Sequence, residues 1–199
     1  MKKAFKFSKI ITFLVVIGLS FFSCDSFTDN NNKGNNNGGY KIGDTGPGGG
    51  IIFFDKGGFS EGWRYLEAAT VNLGEIRWSS DVWANVTGTE ASIGSGKNNT
   101  ALIIASNPDD TLYNNAAKAC VDYRGGNKDD WFLPSINELK ELWKQKSYFN
   151  LTNEVLWSST QFNDYLNQNT FAEVFYFSIG SSSWDGKEGS NYFRPIRAF

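Results

Sequence analysis

The residue best placed for covalent chemistry is Cys24, because of the sequence that precedes it. Four lysines stand among the first nine residues, residues 10–22 form an almost unbroken apolar run, and Ser23 directly precedes the cysteine. A positive start, an apolar run of roughly 7–15 residues and a small residue at the cut are typical of a secretory signal. The run is too short for a membrane-spanning helix, which needs about 20 apolar residues. The pattern predicts a signal peptide over residues 1–23, with lipid (palmitate) attached to the Cys24 thiol.

The sequence around Cys24 resembles the lipid-attachment site of bacterial lipoproteins, and the segment after the cysteine fits an anchor. Residues 24–39 are rich in Asn and Gly and poor in apolar side chains. Such a stretch cannot bury enough apolar surface to offset the entropy of ordering, so we expect a disordered tether. The expected location is the bacterial cell envelope, lipid-anchored and surface-exposed on the outer membrane. An ordinary signal peptide with an incidental cysteine is the alternative.

Residues 40–199 suffice for one domain with its own core, and their charge and cysteine content narrow its function. The signal carries four lysines and no acid, so the remaining chain has 15 basic and 21 acidic residues, a net charge of −6. That balance argues against nucleic acid as a partner. Once Cys24 carries lipid, only Cys120 is left, so no internal disulfide is possible. Its small-residue surroundings predict a buried, unreactive thiol in a helix.

Several catalytic classes are absent from the sequence. The chain has no histidine, which removes the usual triad base and the commonest zinc ligand. The segment at 94–99, GSGKNN, lacks the first glycine and the Ser/Thr of a phosphate-binding loop. The neighbouring acids at 109–110 and 129–130 lie in polar loops and are expected to be solvated. We therefore expect no enzyme, no cofactor and no metal site, with distant carboxylates as the remaining route to acid–base chemistry.

The elements that position any site follow from the hydrophobic pattern. Residues 51–54 predict a strand that runs into a turn at 55–58, and residues 63–68 predict the returning strand. Residues 112–123 predict the first main helix, which Gly125 and Gly126 terminate. Residues 100–105 show only a mixed helical spacing.

The second half of the chain has the clearest helix signal. Ser135 and Glu138 form a capping box, and apolar residues then recur at helical spacing down to about Lys146. Residues 157–160 predict a core strand, and residues 171–179 an alternating one with Phe175, Phe177 and Ile179 on one side. Residues 191–199 predict the last strand, after a Ser/Gly-rich turn that includes Asp185 and Gly186. Two helices among antiparallel strands predict an α+β domain.

Six ordered blocks in this region carry a resemblance to a known family. They read GDTGPGGGIIFFDKGG, GWRYLEAA, AAKAC…DYRGG, DWFLPSINELKELW, LWSST and FRPIRAF. Together they resemble the C-terminal domain of bacterial collagen-like adhesins (an Lcl C-terminal-like domain). The resemblance implies a C-type-lectin-like fold, in the branch of the formylglycine-generating enzymes, with two helices and a twisted antiparallel sheet. The calcium-site tripeptides of animal lectins and the paired catalytic cysteines of the enzymes are both missing.

The resemblance also implies where a ligand would bind, between the Trp-Ser-Ser block and the final strand. This interval, residues 161–192, mixes aromatic side chains with Asn, Ser, Gly and Asp, as antibody paratopes do. Ordinary polar loops share that composition, and this alternative stays open. Trp131, Trp157, Arg194 and Arg197 are expected to be framework, the arginines tying the last strand to acidic neighbours. The expected ligand-binding residues are Phe162, Asn163, Asp164, Tyr165, Asn167, Asn169, Trp184, Asp185, Asn191 and Tyr192.

Three functions compete at this point. The first is a lipid-anchored surface module that binds a protein or glycan ligand through its C-terminal loops, without catalysis. The second, suggested by the resemblance, is adhesion to sulfated glycosaminoglycan-type polysaccharides. The net charge of −6 and the lack of a Lys/Arg cluster weigh against it. The third is an envelope enzyme or a structural envelope protein. We expect the first.

Overall fold

The computed structural model describes residues 39–81, 83–107, 115–163 and 169–199. Residues 39–199 form one compact unit, which begins one residue before the expected domain start. The predicted signal peptide, Cys24 and nearly all of the tether lie outside the described residues. Among the described residues, none of the helices has both the length and the apolar character to cross a membrane.

A three-stranded antiparallel sheet is built on the predicted hairpin. Strand β1 (Ile51–Ser60) pairs with β2 (Trp63–Ala68), and β2 pairs with β8 (Ile196–Ala198). The expected turn at 55–58 is wrong, because β1 continues to Ser60 and the chain reverses at Glu61 and Gly62. Both turn residues have positive φ, which suits the tight turns that match strand twist. Gly57, also at positive φ, lies where the register shifts and forms an irregularity within the strand.

A second, five-stranded sheet holds the interval in which ligand-binding residues were expected. Its order is β3 (Glu75–Ile76), β7 (Asn191–Tyr192), β4 (Val155–Gln161), β5 (Phe171–Tyr176) and β6 (Ser181–Gly186). The pairing of β4 with β7 is parallel, so the prediction of an antiparallel sheet is wrong for this pair of strands.

Three boundaries in this sheet differ from the sequence prediction. The expected last strand over 191–199 is two strands, β7 and β8, which lie in different sheets. The chain turns after Tyr176, so Ile179 is 72% exposed while Phe175 and Phe177 are buried. Asp185 and Gly186 end a strand, although they were expected in a turn.

The described residues contain three α-helices, one more than expected. They are α1 (Gly96–Ala105), α2 (Ala116–Asp122) and α3 (Ile136–Lys144). The capping box of α3 is confirmed, since Ser135 and Glu138 each accept from the other's backbone N–H. Helix α2 accounts for the described part of the helix expected over 112–123. A single turn of 3-10 helix follows α2 at Gly125–Asn127, and another follows α3 at Lys146–Tyr148.

Helix α1 packs through polar side chains, which explains why its apolar spacing is weak. The buried Asn99 donates to the Glu90 carbonyl and accepts from the Glu90 N–H. The buried Thr100 accepts from the Leu133 N–H and donates to the Gly96 carbonyl. Because the polar groups of these side chains are hydrogen-bonded to specific partners, the side chains can be buried at little cost in free energy.

Each face of the five-stranded sheet packs against its own apolar cluster. On one face Leu156 and Phe175 join α3 and the three-stranded sheet. On the other face Trp157 and Val174 pack with Trp78, α1 and α2. This second cluster contains Cys120, which is fully buried as expected, and burial raises the pKa of its thiol well above the usual value.

Candidate ligand-binding face

Three aromatic rings gather at the β5–β6 edge of the five-stranded sheet. The Trp184 ring stacks on Phe162 with a centroid distance of 5.8 Å and meets the edge of Phe171 at 4.6 Å. Phe162 directly follows β4, and its N–H donates to the Phe171 carbonyl, which fixes the two rings relative to each other. Trp184 remains 49% exposed. A large ring held by two neighbours but open to solvent is a preformed stacking surface.

Glu173 lies on the same face as this aromatic group. It is the direct cross-strand partner of Trp184 in the β5–β6 register, and directly opposed residues point to one side of a sheet. The Glu173 side chain forms no ion pair or hydrogen bond within the described residues. Burial raises the pKa of the Glu173 carboxyl, and the positive charge of Lys140 offsets part of this rise. We call Phe162, Phe171, Glu173 and Trp184 the aromatic face.

The opposite side of β4 carries a buried amide hub, Gln161. Its Oε1 accepts from the Val86 N–H at 2.9 Å and from the Lys187 ammonium at 2.8 Å. Its Nε2 donates to Asn85 Oδ1 and Asn163 Oδ1. Every hydrogen-bonding position of the Gln161 amide is therefore used, and the side chain joins the loop at 83–89 to the segment after β4.

Lys187 is a fully buried cation beside this hub. Its ammonium also donates to the Ala84 carbonyl at 2.7 Å and lies 4.7 Å from the centroid of the Trp78 ring. Burial lowers the pKa of the Lys187 amine to about 8. Neutral oxygens and a ring face contact this ammonium, and the charge of Asp81 opposes part of the pKa shift. Lys187 thus cross-links segments from three parts of the chain.

The expected ligand-binding residues that the structure describes do not form one constellation. Successive strand residues point to opposite faces, so Asp185 lies on the other side of β6 from Trp184. There it accepts a hydrogen bond of 2.8 Å from Asn191. Tyr192 packs against the α3 cluster, and a hydrogen bond with Glu75 raises the pKa of its phenol.

Asn163 and Asn169 flank the gap in the described chain. Asn163 accepts from Gln161, and Asn169 adopts a left-handed backbone conformation with φ of 53°. Asp164, Tyr165 and Asn167 lie outside the described residues. Of the expected residues, the structure therefore brings Phe162 and Trp184 together on one face, and Asp185 and Asn191 together elsewhere.

Sequence reasoning missed several residues of this region. Glu173 alternates with Phe171 and Phe175, and that period of two could have placed it on the aromatic face. Gln161 and Lys187 have no such local signal, because their partners are distant in sequence. Trp83, 71% exposed, stands in the loop that Lys187 holds through the Ala84 carbonyl.

Of the four expected framework residues, three behave as described. Trp131 and Trp157 are buried, and their indole N–H groups donate to the carbonyls of Gly125 and Ile76. Arg197 pairs with Glu67 and Asp130.

Arg194 differs from the expectation, because its partners are neutral. Its guanidinium donates to Asn72 Oδ1 and the Ala69 carbonyl instead of a carboxylate. Burial lowers the pKa of Arg194 to about 10. The residue ties the chain before β8 to the segment after β2, without an ion pair at either bond.

Two adjoining cavities lie along the solvent side of α1, away from all expected site residues. One of about 430 Å³ is mainly apolar, and one of about 750 Å³ is more polar. Both are lined by Lys97, Ala101 and Phe132. Elsewhere in the described chain, no group of three or more Cys, Asp or Glu side chains is arranged to hold a metal ion.

No protein-family model matches the chain, and no curated protein matches it.

Proposed function

We propose that this chain is a lipid-anchored module of the bacterial cell surface that binds a protein or glycan ligand without catalysis. In this proposal Cys24 carries the lipid, the Asn/Gly-rich segment is the tether, and residues 40–199 form a C-type-lectin-like domain. The mixed α+β architecture with two sheets is compatible with that fold. The resemblance of six ordered blocks to the C-terminal domain of collagen-like adhesins supports it.

The observation that carries the proposal is the exposed ring of Trp184. An indole that is 49% exposed yet packed on two phenylalanines keeps one orientation before any ligand arrives. Preorganised aromatic groups lose little entropy on binding, which is why they dominate recognition surfaces.

A combined glycan and protein array tests this function. The probe is the full chain purified in detergent, applied at low and at high salt. We expect binding to one ligand class that persists at high salt and falls at least about tenfold in Trp184→Ala. The matched control is Phe59→Ala, which removes a 73% exposed ring at the far hairpin. Silence on both arrays, or binding that Trp184→Ala leaves unchanged, would contradict the proposal.

A second candidate function, adhesion to sulfated glycans, has one observation in its favour. Lys140 and Lys144 stand one turn apart on α3, and Lys146 follows, so the chain does present three clustered lysines. Lys144 is paired with Glu141, and Lys140 donates to Asn137, which reduces the free charge. Binding only to sulfated chains and only at low salt would favour this function, because counterion release to basic groups is salt-dependent.

A further inference from the structure

Strand β6 leaves an open edge on the five-stranded sheet. It pairs with β5 through six successive residue pairs without a bulge, and no other strand of the described chain pairs with it. Natural sheets protect such edges with lysine, proline, bulges or a covering segment. The sequence of β6, SSSWDG, has neither lysine nor proline, and its first four residues are exposed. The Ser182 carbonyl accepts from Ser181 Oγ and the Gly186 N–H donates to Asp185 Oδ1. The outward N–H and C=O of Trp184 have no partner among the described residues and can pair with another extended chain.

The side chains next to this edge favour a cationic guest. Glu173 is half-buried beside the Trp184 ring, and Lys140, whose charge acts on the Glu173 carboxyl, donates to Asn137 and forms no ion pair with Glu173. Among the described residues this partly buried carboxylate has no partner, which is costly, and an incoming cation would remove that cost. A guanidinium can stack on an indole and bind a carboxylate at the same time.

The spacing of the sheet permits both contacts from one residue. Neighbouring strands lie about 4.8 Å apart, so a residue opposite Trp184 on an added strand stands about 10 Å from the Glu173 backbone. The arginine and glutamate side chains together span that distance. The guanidinium would cross the exposed ring of Trp184 on its way to the carboxylate.

A second copy of this chain does not supply the required charge. Antiparallel pairing of β6 with itself would place a strand without any basic residue beside Glu173. The one charged residue of β6 is the acidic Asp185, so such a pair would bring no cation to either Glu173. The charge of the edge therefore points to a different protein.

We propose that the edge of β6 receives an extended segment of a partner protein as an added strand, with an arginine or lysine of that segment on Trp184 and Glu173. This inference rests on the proposed function, since it names the ligand class of the same aromatic face. Main-chain hydrogen bonds to β6 would supply affinity, and the basic side chain would supply specificity, as in other cases of strand addition.

Selection from a phage-displayed library of random heptapeptides tests this inference. The targets are the full chain in detergent and its variants Glu173→Gln, Glu173→Lys and Glu61→Gln, the last a matched exposed carboxylate on the β1–β2 hairpin. We expect the unaltered chain and Glu61→Gln to enrich peptides with Arg or Lys at one fixed position. Glu173→Gln should weaken that preference about tenfold, and Glu173→Lys should reverse it toward Asp or Glu.

A second measurement tests strand addition itself. The best selected peptide is resynthesised with N-methyl groups on every other backbone nitrogen, in the two possible registers. Only one register faces β6, so we expect one N-methylated peptide to lose at least about tenfold in affinity and the other to bind normally. Equal effects in the two registers would overturn strand addition.

The remaining outcomes separate this inference from the proposed function. Peptides enriched without a basic position, or a basic preference that survives in Glu173→Lys, would overturn the inference. So would no enrichment at all, or a dimer that a β6 variant abolishes in sedimentation. Array binding that depends on Trp184 but is confined to glycans would overturn the inference and leave the proposed function standing.

Discussion

Glu67 and Arg197 lie directly opposite each other on β2 and β8, and a salt bridge of 2.8 Å joins Glu67 Oε1 to Arg197 Nη1. The Glu67 carboxylate is fully buried and also accepts hydrogen bonds from the N–H groups of Gly48 and Gly50. One side chain thus joins the third strand of its sheet to the glycine-rich loop before β1. Side chains have little room there, because a Cβ on Gly48 would lie 2.9 Å from Glu67 Oε1.

Replacing Glu67 with Gln should destabilise the domain strongly. The change leaves Arg197 buried with only Asp130 as a charged partner and weakens the bonds to the loop. Breaking a buried ion pair by removing one partner costs about 3–5 kcal/mol. Urea denaturation at neutral pH measures the loss. Glu61→Gln, at an exposed carboxylate, is the control and should stay within about 0.5 kcal/mol of the unaltered chain; equal losses in the two variants would contradict the assigned role.

The stability of the domain should fall as the pH rises from about 4.5 to 7. Glu138 is fully buried, and burial raises the pKa of its carboxyl from 4.5 to about 7, despite the backbone N–H groups of Ser135 and Gly94 that oppose the shift. In this window the folded chain binds more protons than the unfolded chain, so a rise in pH favours unfolding. The total loss is about 3 kcal/mol.

Glu138→Gln isolates this effect from those of other acids. The variant cannot titrate at this position, so the contribution of residue 138 to the fall in stability between pH 4.5 and 7 should be absent. The quantity to measure is the difference in unfolding free energy between the two chains as a function of pH. Other carboxylates also titrate: Arg64 lowers the pKa of Asp55, and such paired carboxylates make stability rise with pH at lower pH. Identical profiles for the two chains would show that Glu138 does not titrate in this range.

The capping box at Ser135 and Glu138 was predictable because every contact that defines it lies within four residues. Helix α1 was not, since its buried positions are filled by residues such as Asn99 and Thr100, whose partners at Glu90 and Leu133 are distant in sequence. The same holds for Gln161 and its amide hub. Local periodicity predicts which residues share a strand face, but not which loops a polar side chain will join.

The aromatic face was predictable only in part, for the same reason. Composition indicated Phe162 and Trp184, and the structure places them in contact. It also indicated Asp185, which the alternation of strand residues puts on the opposite side of β6. The prediction placed Asp185 in a turn, where alternation does not fix side-chain direction, so the face on which it lies was not predictable.

Trp184 and Trp157 should respond to truncation in opposite ways. Trp157 is fully buried and donates to the Ile76 carbonyl, so Trp157→Ala should cost about 3–5 kcal/mol. Trp184 is half-exposed, so Trp184→Ala should cost about 1–2 kcal/mol of stability while lowering ligand binding at least about tenfold. Chemical denaturation and the arrays give the two readouts. A Trp184 variant that unfolds would reassign this ring to the core.

The Cys120 thiol should be inert in the folded protein. It is fully buried, and its raised pKa suppresses the thiolate that reacts with alkylating agents. Iodoacetamide labelling followed by mass spectrometry should modify Cys120 only in denaturant, at a rate set by unfolding. Rapid labelling of the native chain would contradict the buried position.

Cys24→Ala tests the anchor. We expect the unaltered chain to fractionate with membranes, with a mass increased by acyl groups after loss of residues 1–23. The variant should lose both the lipid mass and the membrane association. Ser23→Ala, which keeps a small residue before the cysteine, is the matched control and should behave as the unaltered chain. A Cys24→Ala protein that stays membrane-bound with no change in mass would refute lipidation.

The division of the C-terminal residues between two sheets has a kinetic consequence. β7 joins β3 to the five-stranded sheet, and β8 completes the three-stranded one only four residues later. A chain that emerges amino end first cannot complete the five-stranded sheet until residue 192 is free, nor the three-stranded sheet until residue 198 is free. Early hairpins can form, but cooperative folding must wait for the end of the domain. If the chain is exported as proposed, it would therefore pass the export channel unfolded and would fold only after its last strands have left the channel.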